Sequence, residues 1–274
     1  MTEGHVESAG PAELHPNIAK LRIGSILAGA MRLYRRRPIR VAAASLAVLL
    51  PLVLVGQVVH VIESSRSHDL AYFAALLPSA SELLALLGLV VLGGVMDELV
   101  GAEIRGDSQP GIGHALRSLP FGGLVVADLV VTLFVALGAA VGAIPGLVIA
   151  SLVGIVGPVV NVERQGPMSA VRRSIRLTWP HAWLAIGVVV PSLLVEVVAH
   201  AFLLRVWDTL GLVGELAVEI PLILTVGAFV VLSEVVLAYA LMARDPGSPV
   251  ERMVATAIAS NDSQSSERPR PESP

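Results

Sequence analysis

The hydrophobic residues of this chain fall into runs of about 20, the length of helix that crosses roughly 30 Å of hydrocarbon, and polar stretches separate the runs. Taken in order, the runs predict spans at Val41 to Ile62, Glu82 to Val100, Phe121 to Ala143, a fourth ending near Val162, Ala182 to Leu204, and Glu215 to Met242. Pro51 falls inside the first span, where neighbouring helices can satisfy the carbonyl it frees. Ile144-Pro145-Gly146 predicts a tight turn between the third and fourth spans, and Arg205 to Gly214 a short polar link between the fifth and sixth. The fold class that follows is an all-α polytopic membrane protein of about six transmembrane helices plus amphipathic interfacial helices.

Two segments carry a helical period without enough apolar residues to cross a bilayer. In the first, 18–37, Ile23, Ile26, Leu27, Ala30, Met31, Leu33 and Tyr34 recur at helical spacing, and Arg22, Arg32, Arg35 and Arg36 lie largely off that stripe. The second, 167–179, opens with Pro167 at a first helical position, where its missing N–H costs nothing. Its apolar stripe is Met168, Val171, Ile175 and Trp179, its basic side is Arg172, Arg173 and Arg176, and Pro180 is expected to end it. Both read as helices lying in a membrane interface. Residues 1–17 read as a disordered tail, 18–243 as the transmembrane domain, and 244–274 as a disordered cytoplasmic tail with a helical piece near Val250 to Ala259. Glu63 to Ser81 reads as polar, with a surface piece at Leu70 to Leu77.

Composition sharpens this picture at three points. Hydrophobic residues make up 54% of the 274 residues, above the 45–50% or so of soluble domains. The chain has no cysteine, which excludes disulfides, thiol nucleophiles and thiolate metal sites. Lys20 is the one lysine; with so much Ala, Val and Gly, the arginine bias fits a GC-rich bacterial genome. The first apolar run begins after a long basic segment and is too long for a signal peptide, so it reads as an uncleaved span.

With six spans, Arg66 and Arg205 fall on one side of the membrane and the other 17 of the 19 basic residues on the opposite side. Basic residues favour the cytoplasmic side. The expectation is a multi-pass protein of the cell inner membrane with both termini cytoplasmic.

Candidate chemistry lies first in ionisable residues within the spans, each costing about 2.5–3.5 kcal/mol at mid-membrane on insertion scales. Asp128 and Glu234 lie a few turns in from the cytoplasmic end, and Asp97 and Glu98 nearer to it; His60, Glu196, His200 and Glu219 lie toward the outer side. Glu196 and His200 share a helical face at i and i+4. Asp128, Glu234, Glu196 and His200 form a candidate polar path for a proton or cation; the competing reading has them bonding helices together or staying wet near an interface. No metal or other cofactor is expected, because two ligands on one helix are too few and no His-Glu-x-x-His is present.

Small residues come second. Gly138 and Gly142, then Gly146, Ala150 and Gly154, recur every four positions, which lets helix backbones approach within a hairpin or between two copies of the chain. Third, Arg35, Arg36, Arg37, Arg172, Arg173 and Arg176 are candidate contacts for lipid headgroups, each basic residue near an anionic leaflet contributing about 1 kcal/mol; plain anchoring of the topology is the competing reading. Nucleic-acid binding is not expected, since no aromatic platform or folded basic domain accompanies these arginines. Catalytic residues are not expected either. Gly-x-Ser-x-Gly and phosphate-loop motifs are missing, and nothing singles out Ser151, Ser192 or Ser233 as a nucleophile.

Two stretches resemble one known family. LRIGSILAGAMRLYRRR, Leu21 to Arg37, is similar to the N-terminal helix of the bacterial glycerophosphoryl diester phosphodiesterase membrane-domain proteins and their YciC-like relatives. The Ile-Pro-Gly turn, the following span, Pro158-Val159-Val160, Glu163, Gly166, Ala170, Arg173-Ser174 and Leu177-Thr178 resemble the same family. The resemblance implies a six-helix membrane domain. The long segments are all spans or tails, so it implies that domain without the catalytic phosphodiesterase barrel. The function expected is non-enzymatic, organising lipid or a membrane or cytoplasmic protein partner; the alternative is a small transporter or transporter subunit using the intramembrane carboxylates.

Overall fold

A computed structural model describes residues 21–64, 80–107 and 111–266, with side chains at most of these positions. The expected tail at 1–17 and the surface piece Leu70 to Leu77 lie outside the described residues, as do the side chains of Glu196, His200, His60 and Glu219.

Every described element is helical: α1 (Ile23–Arg36), α2 (Pro38–Ser64), α3 (Ala80–Arg105), α4 (Ile112–Ser118), α5 (Phe121–Val141), α6 (Ala143–Val153), α7 (Val156–Glu163), α8 (Pro167–Thr178), a 3-10 turn (Trp179–His181), α9 (Ala182–Leu222), a π-helical stretch (Ile223–Gly227), α10 (Ala228–Met242) and α11 (Pro249–Ser266). Among the described residues, five segments are long and apolar enough to cross a membrane: Pro38–Gly56, Phe121–Val141, Ala143–Glu163, Pro167–Val195 and Ile220–Met242. The chain is therefore an all-α polytopic membrane protein. The expected second span lies in α3, whose C-terminal half carries Asp97, Glu98, Glu103 and Arg105.

The helices form one bundle. Helix α2 packs along α3, with Leu49 and Leu52 seated against Gly88. α10 packs on α1 and α3, and its positions from Val235 to Met242 are all buried. α5 and α6 form a hairpin whose connection is one residue, Gly142. The expected turn residues Ile144, Pro145 and Gly146 lie instead within the first turn of α6. N–H groups there have no intrahelical acceptor, so Pro145 removes nothing. The hairpin is tight because a Cβ on Gly146 would sit 3.0 Å from the Ala139 backbone, and one on Gly138 3.1 Å from the Gly146 Cα.

The fourth span is broken at Gly154-Ile155, between α6 and α7. Pro158 has no N–H to return to Gly154, so the helical ladder is interrupted there in any case. The expected polar link at Arg205 to Gly214 is a correction: these residues are helical, within α9. The stretch contains no proline, and polarity alone does not break a helix. The run from α9 to α10 nevertheless reverses direction. Gly187 abuts Ile23 and Val236 abuts Gly29, two positions on the same short helix α1. A straight helix would hold Gly187 and Val236 about 74 Å apart at 1.5 Å per residue.

Two more expectations change. The apolar stripe of α1 is not simply laid on lipid: Ile26, Ala30 and Leu33 are buried in the bundle core, Gly29 meets Val236, and the Tyr34 hydroxyl donates to the Leu224 carbonyl at 3.1 Å. The C-terminal segment is not disordered from 244 on, and the helical piece expected near Val250 to Ala259 is present within a longer helix. α11 occupies Pro249–Ser266, with Val250 wholly buried. Ser248 caps it, its Oγ accepting from the Glu251 N–H at 3.0 Å and donating to the Met242 carbonyl, while Glu251 accepts from the Gly247 N–H at 2.6 Å.

Candidate functional site

Three polar groupings tie α3, α6, α7, α8 and α10 together. At the first, Asp97 on α3 is wholly buried and Asn161 on α7 is 5% exposed. The Asn161 Nδ2 lies 3.4 Å from both Asp97 Oδ2 and the Gly94 carbonyl. The Tyr239 hydroxyl on α10 donates to the Asp97 backbone carbonyl at 3.1 Å. Gly101 makes room for that hydroxyl, since a Cβ there would lie 3.0 Å from it. Asp97 Oδ1 and Asn161 Oδ1 are buried with no hydrogen-bond partner among the described residues.

The second grouping is ionic. Arg173 on α8 makes a forked contact with Glu163 at the end of α7, at 3.0–3.2 Å, and its Nη2 also reaches Asp245 just beyond α10, at 2.5 Å. Gln165 donates to the same Glu163 at 2.7 Å. The forked geometry suits a guanidinium facing a carboxylate. Between Glu163 and this helix, Arg164 takes a left-handed conformation (φ 53°) and donates to the Ser118 carbonyl at 3.0 Å.

The third grouping repairs the break in the fourth span. The Leu152 carbonyl, just before the break, accepts from the Ser174 hydroxyl at 2.8 Å and lies 2.9 Å from the Thr178 hydroxyl, whose one proton it shares with the Ser174 carbonyl at 2.8 Å. A carbonyl left bare inside a membrane protein costs several kcal/mol on the scale of unsatisfied backbone groups, about the cost these two hydroxyls offset.

These contacts redraw α8. Its inward face is Ala170, Val171, Arg173, Ser174, Leu177 and Thr178, while Met168, Ile175 and Trp179 are exposed. Arg173, expected among the lipid contacts, is a correction: its side chain is 8% exposed and committed to Glu163 and Asp245. Arg36 is likewise paired, with Glu103 at 3.3 Å. Arg35, Arg37, Arg172 and Arg176 are exposed. Trp179 and Trp183, one helical turn apart, are 67% and 85% exposed beside Arg172 and Arg176, and flank an open depression of about 410 Å³.

Of the expected polar path, Asp128 is half-buried on α5 and Glu234 half-buried on α10, and no hydrogen bond or ion pair joins them among the described residues. A small cavity lined by Ser45, Leu46, Leu50, Val53, Ile220 and Leu224 and the depression beside Trp179 include neither of them. The outer pair, Glu196 and His200, falls where side chains are not described. Ser151, Ser192 and Ser233 each donate to the carbonyl four residues back in their own helix. Among the described residues no three of His, Asp and Glu cluster as metal ligands. Gly138 and Gly146 face each other across the hairpin, Gly142 is its connection, and Gly154 marks the break.

Asp97–Asn161 is the grouping that residue-by-residue reading did not assemble. The sequence marks Asp97 as an intramembrane carboxyl, but its partner Asn161 is 64 positions away.

The chain matches no family model, no curated protein and no solved structure.

Proposed function

We propose that this membrane protein is non-enzymatic and organises anionic lipid at the cytoplasmic face of a bacterial inner membrane. The observation that carries the reading is the division of labour on α8. Arg173 is turned inward and neutralised by two carboxylates, whereas Arg172 and Arg176 are exposed beside Trp179 and Trp183. Tryptophan settles at the headgroup level of a bilayer, and exposed arginines one turn apart suit the phosphates of an anionic leaflet. Arg35 and Arg37 add basic groups at the end of α1. The lopsided distribution of Lys and Arg supports a multi-pass orientation with both termini cytoplasmic. The resemblance of Leu21 to Arg37 and of the central unit to the phosphodiesterase membrane-domain family belongs to the same reading, without the phosphodiesterase activity.

Lipid retention tests it. Purified protein, delipidated and then offered vesicles of phosphatidylglycerol and phosphatidylethanolamine, is expected to retain phosphatidylglycerol in native mass spectra. An Arg172→Gln/Arg176→Gln variant is expected to lose most of that retention. Equal retention of both lipids by both proteins would sink the reading.

A second reading, a small transporter or transporter subunit, rests on Asp128, a half-buried carboxyl in a span with no hydrogen-bond or ion-pair partner among the described residues. Proton uptake into proteoliposomes that disappears in Asp128→Asn would favour it over the first.

A further inference from the structure

We propose that Asp97 and Asn161 form a proton-binding site, in which one proton is shared between Asp97 Oδ1 and Asn161 Oδ1. The two atoms are buried acceptors without a donor among the described residues, on side chains that already meet at 3.4 Å through Asn161 Nδ2 and Asp97 Oδ2. An ionised carboxylate here would hold a full charge against one long N–H contact, a costly state in an apolar interior. A carboxylic acid and a primary amide are complementary: the amide N–H₂ donates to one acid oxygen, and the acid O–H donates to the amide oxygen. One proton therefore converts two orphaned acceptors into a donor and an acceptor, leaving every polar atom of the pair partnered.

The surroundings favour a proton over a larger cation. Val95 and Met96 flank Asp97 with no exposed surface, and Val160 beside Asn161 is 1% exposed. A hard metal ion would require about six oxygen ligands, and the pair offers three side-chain oxygens. The charged and titratable groups nearby are Glu98, adjacent on α3, Arg105 two turns further on, and Tyr239 on α10. None of these makes a hydrogen bond to the Asp97 carboxyl among the described residues: Ser118 bonds Glu98, Asp107 bonds Arg105, and the Tyr239 hydroxyl is given to the Asp97 backbone. On α7, Glu163 is engaged by Arg173. The site sits where α3, α7 and α10 meet, on the short helix that the Gly154-Ile155 break separates from α6. Loss of the proton would set a carboxylate against an amide oxygen across that joint.

The site stands apart from the lipid reading, and infrared spectroscopy of the purified full-length protein tests it alone. At neutral pH the wild type is expected to show the C=O stretch of a protonated carboxylic acid. Asp97→Asn loses that band, Asn161→Leu shifts it upward as the acid loses its partner, and exchange of sodium for potassium leaves it in place. A wild-type-minus-Asp97→Asn difference containing only carboxylate bands overturns the proposal. If Asp97→Asn does not fold, a hydrophobic carbodiimide, which attacks protonated carboxyls in apolar surroundings, replaces it on the wild type. Modification mapped to Asp97 supports the site, and an unmodified Asp97 overturns it.

Discussion

Arg173 and Glu163 face each other through three N–O contacts of 3.0–3.2 Å, with side chains only 8% and 6% exposed. Removing one partner of such a buried pair leaves an uncompensated charge and costs about 3–5 kcal/mol. Asp245, the third member, is 32% exposed, so water replaces much of what it supplies. Glu163→Gln is therefore expected to lower the midpoint of thermal unfolding in detergent by much more than Asp245→Asn, with Arg173→Ala the most damaging of the three. Equal losses from the two acidic substitutions would show that the triad is not organised around the Arg173–Glu163 pair.

The Leu152 carbonyl has two hydroxyls within hydrogen-bond reach, Ser174 outright and Thr178 shared with the Ser174 carbonyl, so either can serve it when the other is removed. Either Ser174→Ala or Thr178→Val alone leaves the carbonyl with one donor, and each should change stability by about 1 kcal/mol or less. The double substitution leaves it unsatisfied and should cost about 1–3 kcal/mol more than the sum of the singles. A double-mutant cycle on chemical denaturation checks this, and strict additivity would remove the carbonyl-capping role.

Most of the helical layout was legible because membrane spans are long apolar runs, and length alone separates them from soluble helices. The facing of α8 was not, and the reason is physical. In water an apolar stripe marks the buried side of a helix. In lipid both sides are apolar, and the protein-facing side is marked by small and hydroxyl residues. Ala170, Ser174 and Thr178 were that mark, and Met168, Ile175 and Trp179 turned outward. Arg172 and Arg173 differ by only 100° around the helix, yet one is exposed and the other ion-paired inside. Their difference depends on Glu163 and on Asp245, 72 positions downstream of Arg173. The Asp97–Asn161 contact was out of reach for the same reason.

The start of α11 was locally legible. Ser248-Pro249-Val250-Glu251 has a capping serine, a proline at the first helical position and a glutamate three residues on, a helix-start signature just ahead of the helical piece expected at Val250 to Ala259. Ser248→Ala removes the bond to the Glu251 N–H and the bond to the Met242 carbonyl. A lost N-cap costs about 1 kcal/mol, enough to fray the first turn and expose Val250. Amide hydrogen exchange over Val250 to Ala259 is expected to accelerate several-fold in Ser248→Ala, with exchange in α10 unchanged. Unaltered exchange in α11 would place its stability elsewhere.

Two glycines of the α5–α6 hairpin should answer oppositely to the same substitution. A Cβ at Gly146 would lie 3.0 Å from the Ala139 Cα and N and 3.2 Å from its Cβ, and those atoms belong to the helix frame and cannot rotate away. Gly146→Ala must push α5 and α6 apart, loosening their packing, and is expected to cost about 1–3 kcal/mol, as overpacking of a tight interior does. At Gly122, near the start of α5, an added Cβ meets nothing within 4 Å. Gly122→Ala therefore keeps only the benefit of better helix propensity, up to about 1 kcal/mol. Thermal unfolding of the two variants in one detergent should move in opposite directions. If Gly146→Ala were as stable as the wild type, the close approach of the two helices would not be a feature of the folded protein.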